Sequence, residues 1–527
     1  MPWKNGNDNG RKLTTPQSVN AAIKAICDIM RRSNCAGALQ YVPELTWVLF
    51  LRILDEHEAR EAEEAEAVGA EFTPSLLAPY RWQDWAAPEG TRRLELQMGT
   101  LGGFFDFVNG GTRPDGSRYG LLPYLKTLKE QPNATPRQKI ISEIMAGVER
   151  VRIDTERNLL DVLDKVHEMS TERVDPTHVF TLSQVYEGLL LKMGEKNNDG
   201  GQFFTPREIV RVMIQVIDPQ VGETVYDPGC GTGGFLAQSY EYMRERLGAV
   251  AMAAQLETLK QYTFYGREKE NLIYPIGLAN LVLHGIDQPR LWHGNTLTGG
   301  EIYGGLFQDA PSLFDVVLTN PPFGGKEGRD AQTRFAYKTG ATQVLFLQHV
   351  IDSLKPGGRC GIVLDEGVLF RTNETAFVQT KRKLLDEFDV WCIVSLPAGV
   401  FMNAGAASKT NLLFFTKGPP TESIWYYDLS NTKVGKKTPL TLERFDEFFR
   451  LLPAHADSER SWTVRRADIA TKGYDLKAVN PHAKRDEDTR TPEELLDLIE
   501  QKGREVAEAL ACLRGAGRAS PSPYSML

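Results

Sequence analysis

A doubly wound α/β domain, preceded by an all-helical region and followed by a single helix, is the architecture this sequence predicts. Three observations carry that expectation. Between about residues 168 and 418, short β-branched and aromatic runs alternate with helical stretches, as in a parallel sheet covered on both faces. Before residue 167 the apolar residues recur at spacings of three and four with little strand-like alternation, the pattern of packed helices. A charged stretch, "PHAKRDEDTR" (481–490), then separates one amphipathic segment at 491–511 from everything before it. The expected organisation is a flexible start at 1–14, a helical domain at 15–167, the α/β domain at 168–480, and a linker with a docking helix at 481–527.

Composition narrows the class. The 527 residues are 41 % hydrophobic and 25 % charged, ordinary values for globular proteins, which excludes a disordered or fibrous chain. The densest apolar run, "TWVLFLRIL" (46–54), is short and carries Arg52, so neither a signal peptide nor a membrane span is indicated, and a cytoplasmic location is expected. Six cysteines lie scattered with no Cys-x-x-Cys spacing, which argues against a metal centre or a disulfide framework. The formal net charge is −8. Duplex binding is dominated by Lys and Arg neutralising phosphates, so this chain alone is expected to bind DNA poorly. The basic stretches "QTKRK" (379–383) and "KVGKK" (433–437) read as solvated faces.

In the helical region, one helix is expected to open at Pro43 and to run through Leu45, Val48, Leu49 and Ile53 into the acidic "EHEAREAEEAEA", read as an exposed face. "FVNGGTRPDGSRYG" (107–120) reads as a polar, Gly-rich loop. The expected strands are 223–227, 262–266, 291–295, 314–320, 359–364, 390–396 and 411–417. Near the C-terminus, Thr491, Pro492 and Glu494 form a capping box. Leu495, Ile499, Val506 and Leu510 then share one face, suited either to docking a partner or to folding back on the chain.

The chemistry gathers at strand ends. "DPGCGTGGF" (227–235) holds the spacing Gly229-x-Gly231-x-x-Gly234, which lets a backbone turn sharply and approach a ligand at a helix N-terminus. A nicotinamide site would show an acid about 20 residues later. Here the first strand-end acid is Glu268, placed to accept ribose hydroxyls, so an adenosine derivative is the expected ligand. "LTNPPFGG" (318–325) follows another strand with two prolines that end it and an aromatic ring beyond. Methyl transfer from a sulfonium needs a nucleophile whose lone pair lies in line with the methyl group. A conjugated amino group does not offer that lone pair. Acceptors on its two hydrogens, the Asn320 side-chain oxygen and the Pro321 carbonyl, would tilt the nitrogen toward tetrahedral geometry. Neither acceptor is charged, so the site orients the nitrogen rather than acting as a strong base. The prolines hold the Pro321 carbonyl in place, and Phe323 offers a face on which a planar base can stack.

With these motifs in place, the sequence resembles the modification (methyltransferase) subunit of Type I restriction–modification systems, within the amino-methylating DNA methyltransferases. The resemblance rests on "GGQFFTPREIV" (200–210), "DPGCGTGGFL" (227–236), "YGREKENLIYPIGLANLVLHG" (265–285), "HGNTL" (293–297), "TNPPFGG" (319–325) and "LPAGVF" (396–401). It spans about 170–480. It implies a Rossmann-like S-adenosylmethionine-dependent methyltransferase domain. The family's cofactor pocket falls on Gln202, Phe203, Phe204, Thr205, Pro206, Arg207, Asp227, Gly231, Thr232 and Gly233, alongside Gly229 of the glycine loop. Glu268 matches the ribose-binding acid. Asn320, Pro321, Pro322 and Phe323 match the catalytic tetrapeptide, implying transfer to the 6-amino group of an adenine flipped out of duplex DNA. The family often carries an aspartate where this chain has Asn295, whose amide oxygen can still accept a hydrogen bond. The resemblance also implies two copies of this chain flanking one specificity subunit, with a separate motor–nuclease restriction subunit joining for cleavage. No G-x-x-x-x-G-K-[ST] loop is present, so this chain is not that motor.

Other readings remain open at this level. Ribosomal-guanine and protein-glutamine methyltransferases use similar Asn-Pro-Pro-aromatic sites, although "QFFTP" and the long helical region favour DNA adenine. A catalytically silent assembly subunit would show a damaged glycine loop or tetrapeptide, and both are intact. A cytosine-ring enzyme would need a nucleophilic cysteine after a proline, which the sequence lacks. His284 and His293 read as structural.

Overall fold

The structure is a computed structural model that describes residues 16–33, 35, 38–99, 103–168, 205–248, 253–401, 409–435, 438, 440–482 and 491–516. Met1–Asn480 form one compact unit and Pro481–Leu527 a second.

In the first unit a ten-stranded sheet is the organising layer. Its strands, in chain order, are β1 (Val225–Asp227), β2 (Phe264–Glu268), β3 (Arg290–Asn295), β4 (Gly300–Tyr303), β5 (Phe314–Thr319), β6 (Leu354–Asp365), β7 (Phe388–Ser395), β8 (Thr410–Lys417), β9 (Ser423–Asp428) and β10 (Ser461–Arg465). They lie in the order β10-β9-β7-β8-β6-β5-β1-β2-β3-β4. β1 is parallel to both β2 and β5. The chain therefore builds outward from β1 on one side and then crosses over to continue on the other. Connections leave the carboxyl ends of β1 and β5 in opposite directions, which opens a crevice there.

All seven expected strands are present, but the sheet is mixed rather than parallel. β8 runs antiparallel between β6 and β7, and the short edge strands β4 and β10 are antiparallel to β3 and β9. The connection from β7 to β8 carries Pro397, Gly399 and Gly405 and no helical apolar spacing, so the chain reverses instead of crossing over.

Alternation along each strand divides the interior into two cores. Val316, Leu318, Leu412 and Phe414 face one side, while Val317, Leu413 and Phe415 face the other. The first core continues into the helical region. α1 (Pro16–Arg32), α2 (Ala38–Ala67), α3 (Pro136–Ala146) and α4 (Glu156–His167) share it with α5 (Arg207–Ile217), α6 (Gly234–Leu247) and α7 (Ile273–Leu283). α7 packs on both α2 and α3 and is buried almost all round. α8 (Thr342–Ser353) and α9 (Thr375–Glu387) supply most of their buried apolar residues to the second core.

Several local expectations change. α2 starts five residues before Pro43, because Tyr41 and Val42 are also buried and extend the packed surface. Its acidic stretch is not wholly exposed: Glu56 pairs with Arg52 at 2.7 Å, and the buried Glu58 accepts from the Ser75 backbone at 3.0 Å. The 107–120 segment closes as a small hairpin, with Gly111–Thr112 antiparallel to Arg118–Tyr119. Within "QTKRK", Lys381 is buried and donates to the carbonyls of Leu369 and Arg371, and desolvation lowers its pKa to about 8.

The second unit holds α10 (Pro492–Ala516), which begins with the expected reciprocal cap: Thr491 N–H donates to Glu494 Oε2 at 2.7 Å, and Glu494 N–H to Thr491 Oγ1 at 3.2 Å. Leu496, Ile499, Val506 and Leu510 are exposed. Among the described residues no helix is long and apolar enough to cross a membrane.

Phe414 sits at the centre of β8, fully buried, with its ring stacked 5.5 Å from that of Trp391. Truncation by Phe414→Ala should cost about 3–5 kcal/mol of stability. A urea unfolding midpoint unchanged from the parent would contradict this packing.

Candidate active site

The crevice beyond β1 and β5 is a cavity of about 290 Å³ lined by the glycine loop, the ends of β2 and β3, and the segment after β5. β1 ends at Asp227, whose Oδ1 accepts from the Gly229 backbone at 3.1 Å and from the Thr319 hydroxyl at 2.7 Å. The second of these bonds ties the ends of β1 and β5 together inside the protein. The chain then turns through Gly231 (φ +54°) and Gly233 (φ +79°), where L side chains are strained. A Cβ on Gly233 would also lie 3.1 Å from the Leu281 side chain. Gly234 opens α6, whose first backbone N–H groups have no intrahelical acceptor and can meet a ligand, and a Cβ at Gly234 would meet open space.

Glu268 is held by three backbone donors: Gly231 N–H to Oε2 at 2.9 Å, and Lys269 and Glu270 N–H to Oε1 at 2.8 Å each. A carboxylate has about four lone-pair sites. One position on Oε2 thus remains, enough for one ribose hydroxyl rather than two. Burial pushes the Asp227 carboxyl up to about 7, with the neighbouring Glu268 charge adding to it. Desolvation raises Glu268 as well, against its three backbone bonds.

Two amide oxygens meet no partner among the described residues. Asn280 of α7 donates through Nδ2 to the Thr232 carbonyl at 2.9 Å, and its Oδ1 is buried and unpaired. Asn320 donates through Nδ2 to Thr205 Oγ1 at 3.0 Å, and its Oδ1 is likewise buried and unpaired. Both residues line the cavity. Arg207, at the start of α5, lines it too, and burial lowers its pKa to about 10. The Phe323 ring is half-buried, 5.3 Å from Phe401 in an edge-on arrangement.

Of the residues expected from sequence, Thr205, Arg207, Asp227, Gly229, Gly231, Thr232, Glu268, Asn295, Asn320, Pro322 and Phe323 line this one cavity. Pro206 and Gly233 flank it as the N-cap residues of α5 and α6. Pro321 is buried and outside the lining, while Pro322 is exposed at the rim. Gln202, Phe203 and Phe204 lie outside the described residues. The Asn295 oxygen already accepts from the backbones of Leu297 (2.9 Å) and Thr298 (3.2 Å), so it shapes a turn instead of waiting for a ligand. His284 bonds the Asn280 carbonyl at 2.7 Å, and His293 stacks 4.2 Å from Tyr274. Sequence reading missed Asn280, Thr319, Phe346 and Phe401. A lone amide inside the apolar "IGLANLVL" was a usable sign for Asn280; nothing distinguished Phe346 from core.

A Rossmann-like sheet whose glycine turn faces an uncharged amide oxygen defines the amino-methyltransferase class. The N-6 DNA methylase family profile matches residues 178–490, and the HsdM N-terminal domain profile matches 19–100. The chain is 32 % identical over 513 residues to the Type I restriction enzyme EcoEI methylase subunit of Escherichia coli, covering 94 % of this chain and 97 % of the relative. It superposes with a TM-score of 0.73 on the modification subunit of a type I restriction enzyme from Vibrio vulnificus YJ016, at 34 % identity, covering 89 % of this chain and 98 % of that one. A chain solved in work on assembly and conformational transition of the type I R-M system gives 0.72 at 35 % identity, covering 97 % and 100 %. The chain belongs to the N-6 DNA methylase family, among the Type I methylase subunits, and is an adenine-specific DNA methyltransferase.

The raised pKa of Asp227 has a stability consequence. Its folded value near 7 exceeds the ordinary carboxyl value, 3.8, so folding binds a proton between them, and stability falls as pH rises through that window. Asp227→Asn keeps an acceptor for Gly229 and Thr319 and removes the buried charge. It should raise the thermal midpoint at pH 8, by an equivalent of roughly 1–4 kcal/mol, with the advantage vanishing toward pH 4. An advantage that grows on acidification would show the charge to be stabilising.

Proposed function

We propose that this chain transfers a methyl group from S-adenosylmethionine to the 6-amino group of an adenine flipped out of duplex DNA, working as the modification subunit of a Type I complex. The observation that carries this reading is the Asn320 Oδ1, a buried acceptor without a partner among the described residues, in the same cavity as the glycine loop.

The residues fit the cofactor. Glu268 Oε2 has room for one ribose hydroxyl, the free N–H groups at Gly234 suit the turn of the ligand, and the two ends of its amino-acid tail match Arg207 and the unpaired Asn280 oxygen. Bound there, S-adenosylmethionine supplies a sulfonium methyl, and its sulfur keeps the electron pair as the carbon–nitrogen bond forms. Asn320 Oδ1 accepts one hydrogen of the adenine amino group. We assign the other hydrogen to the Pro321 carbonyl, whose φ the ring fixes. Both oxygens direct the lone pair along the line of attack. The nitrogen is cationic only after the methyl has arrived, and it then loses its proton to water. Phe323 stacks on the base, with Phe401 holding the ring edge-on. The acidic balance of the chain suits a subunit that leaves sequence reading to a specificity subunit, with two copies of this chain flanking one such partner and a restriction subunit joining for cleavage. α10 is the element we assign to that docking.

With the specificity subunit present, Asn320→Ala should bind S-adenosylmethionine normally and lose roughly 100- to 1000-fold in methyl transfer to DNA, followed with labelled methyl groups. Transfer at the parental rate would remove Asn320 from the chemistry. Deleting residues 490–527 should abolish co-purification with the specificity subunit while leaving the thermal midpoint of the remainder in place; a complete complex formed by the shortened chain would refute the docking role of α10.

A further inference from the structure

Asn320 lies in its cavity with one particular amide polarity, and that polarity has a cause outside the tetrapeptide. We propose that Thr205 is a positioning residue for methyl transfer, receiving the Asn320 NH2 group so that the amide oxygen can face the adenine amino group. This rests on the function proposed above.

Asn320 Nδ2 lies 3.0 Å from Thr205 Oγ1, and among the described residues no partner meets Oδ1. Thr205 and Asn320 are 115 residues apart in sequence, and both line the cavity. The two ends of a primary amide have nearly the same size and differ mainly in hydrogen-bonding sense, so shape alone does not choose between them. Chemistry chooses. An adenine amino group presents two donors, and an inward-facing NH2 would set donors against donors. The oxygen must therefore face the base, and the NH2 must then face the protein. That NH2 is part-buried beside the β5 end, where losing its acceptor leaves the donor poorly satisfied. The hydroxyl of Thr205 is the acceptor present.

A hydroxyl can also donate, so Thr205 alone does not forbid the reversed amide. What it does is leave the reactive orientation without a stranded group once the base is bound. The benefit appears where the amide oxygen engages the amino nitrogen, during reaction, and not in holding the cofactor. This separates the role from membership of the cofactor pocket, in which its neighbour Arg207 presents a charge.

Thr205→Val keeps the side-chain shape and removes the acceptor, and Thr205→Ser keeps the acceptor. With the specificity subunit and DNA, the valine variant should lose about 10- to 100-fold in kcat. Its dissociation constant for S-adenosylmethionine, measured by calorimetry without DNA, should stay within about threefold of the parent, and serine should restore most of kcat. In an Asn320→Ala background the valine change should cost nothing further, because the group it serves is gone. A valine variant at parental kcat, a loss confined to cofactor affinity, or an equal loss in the serine variant would each overturn the proposal. If Asn320→Ala itself transferred methyl groups normally, the function proposed above would fall. Full turnover by Thr205→Val beside an inactive Asn320→Ala would sink only the role given to Thr205.

Discussion

The hydrogen bond from the Thr319 hydroxyl to the Asp227 carboxylate, 2.7 Å long and buried, ties together the two strand ends from which the chain departs in opposite directions. On one side of it the glycine turn begins; on the other stands Asn320. A parallel sheet supplies ladder bonds only as far as its strands run, and here the ladder from β1 to β5 ends at Tyr226 and Val317. Past that point, one side-chain bond keeps the two halves of the cavity in register. The acceptor is a carboxyl oxygen in an interior that resists charge, which is why the Asp227 carboxyl titrates so high. The expense is local and its return is geometric, because both walls of the cavity are referred to one fixed point.

That cavity is lined by polar groups with capacity to spare. The oxygens of Asn280 and Asn320 are unpaired, and Glu268 has one position left. Buried acceptors without partners are costly in any fold. Here they stand already aimed, held from behind by the Thr232 carbonyl, the Thr205 hydroxyl and three backbone N–H groups. A ligand that satisfies them spends little on reorganising the protein, which is how fixed dipoles contribute to catalysis.

Much of this was legible before any coordinates. The glycine loop, Glu268 and the Asn-Pro-Pro-Phe run declare themselves because each needs unusual backbone behaviour at the end of an apolar strand. Seven strands were visible for the same reason, since buried strands write continuous β-branched and aromatic runs; β9 was not expected, although its Ile424, Trp425, Tyr426 and Tyr427 are buried and of that kind. The edge strands were harder. "GEIY" (300–303) carries a charge and a glycine and is largely exposed, so it shows neither alternation nor a continuous apolar run. The direction of β8 depends on how the chain between two strands reverses, and strand composition does not encode that. Asn295 does line the cavity, but two backbone N–H groups engage its oxygen, a local turn that residue type alone does not reveal. Glu58 and Lys381 looked like solvent-facing charges; only tertiary packing shows one under the Ser75 backbone and the other beneath two carbonyls.

The position of α7 has a consequence for how this protein can be divided. One end of the helix abuts the glycine turn, where Asn280 grips Thr232 and Leu281 crowds Gly233, and its flank rests on α2 and α3 of the N-terminal region. An 11-residue helix with almost no solvent-facing residue cannot tolerate losing its cover. Helices α2 and α3 are thus not a detachable accessory. They cover the interior of the α/β half, so gene fusions or circular permutants that part the two would bare a greasy rod beside the cavity, and damage far from the tetrapeptide would silence the enzyme through it.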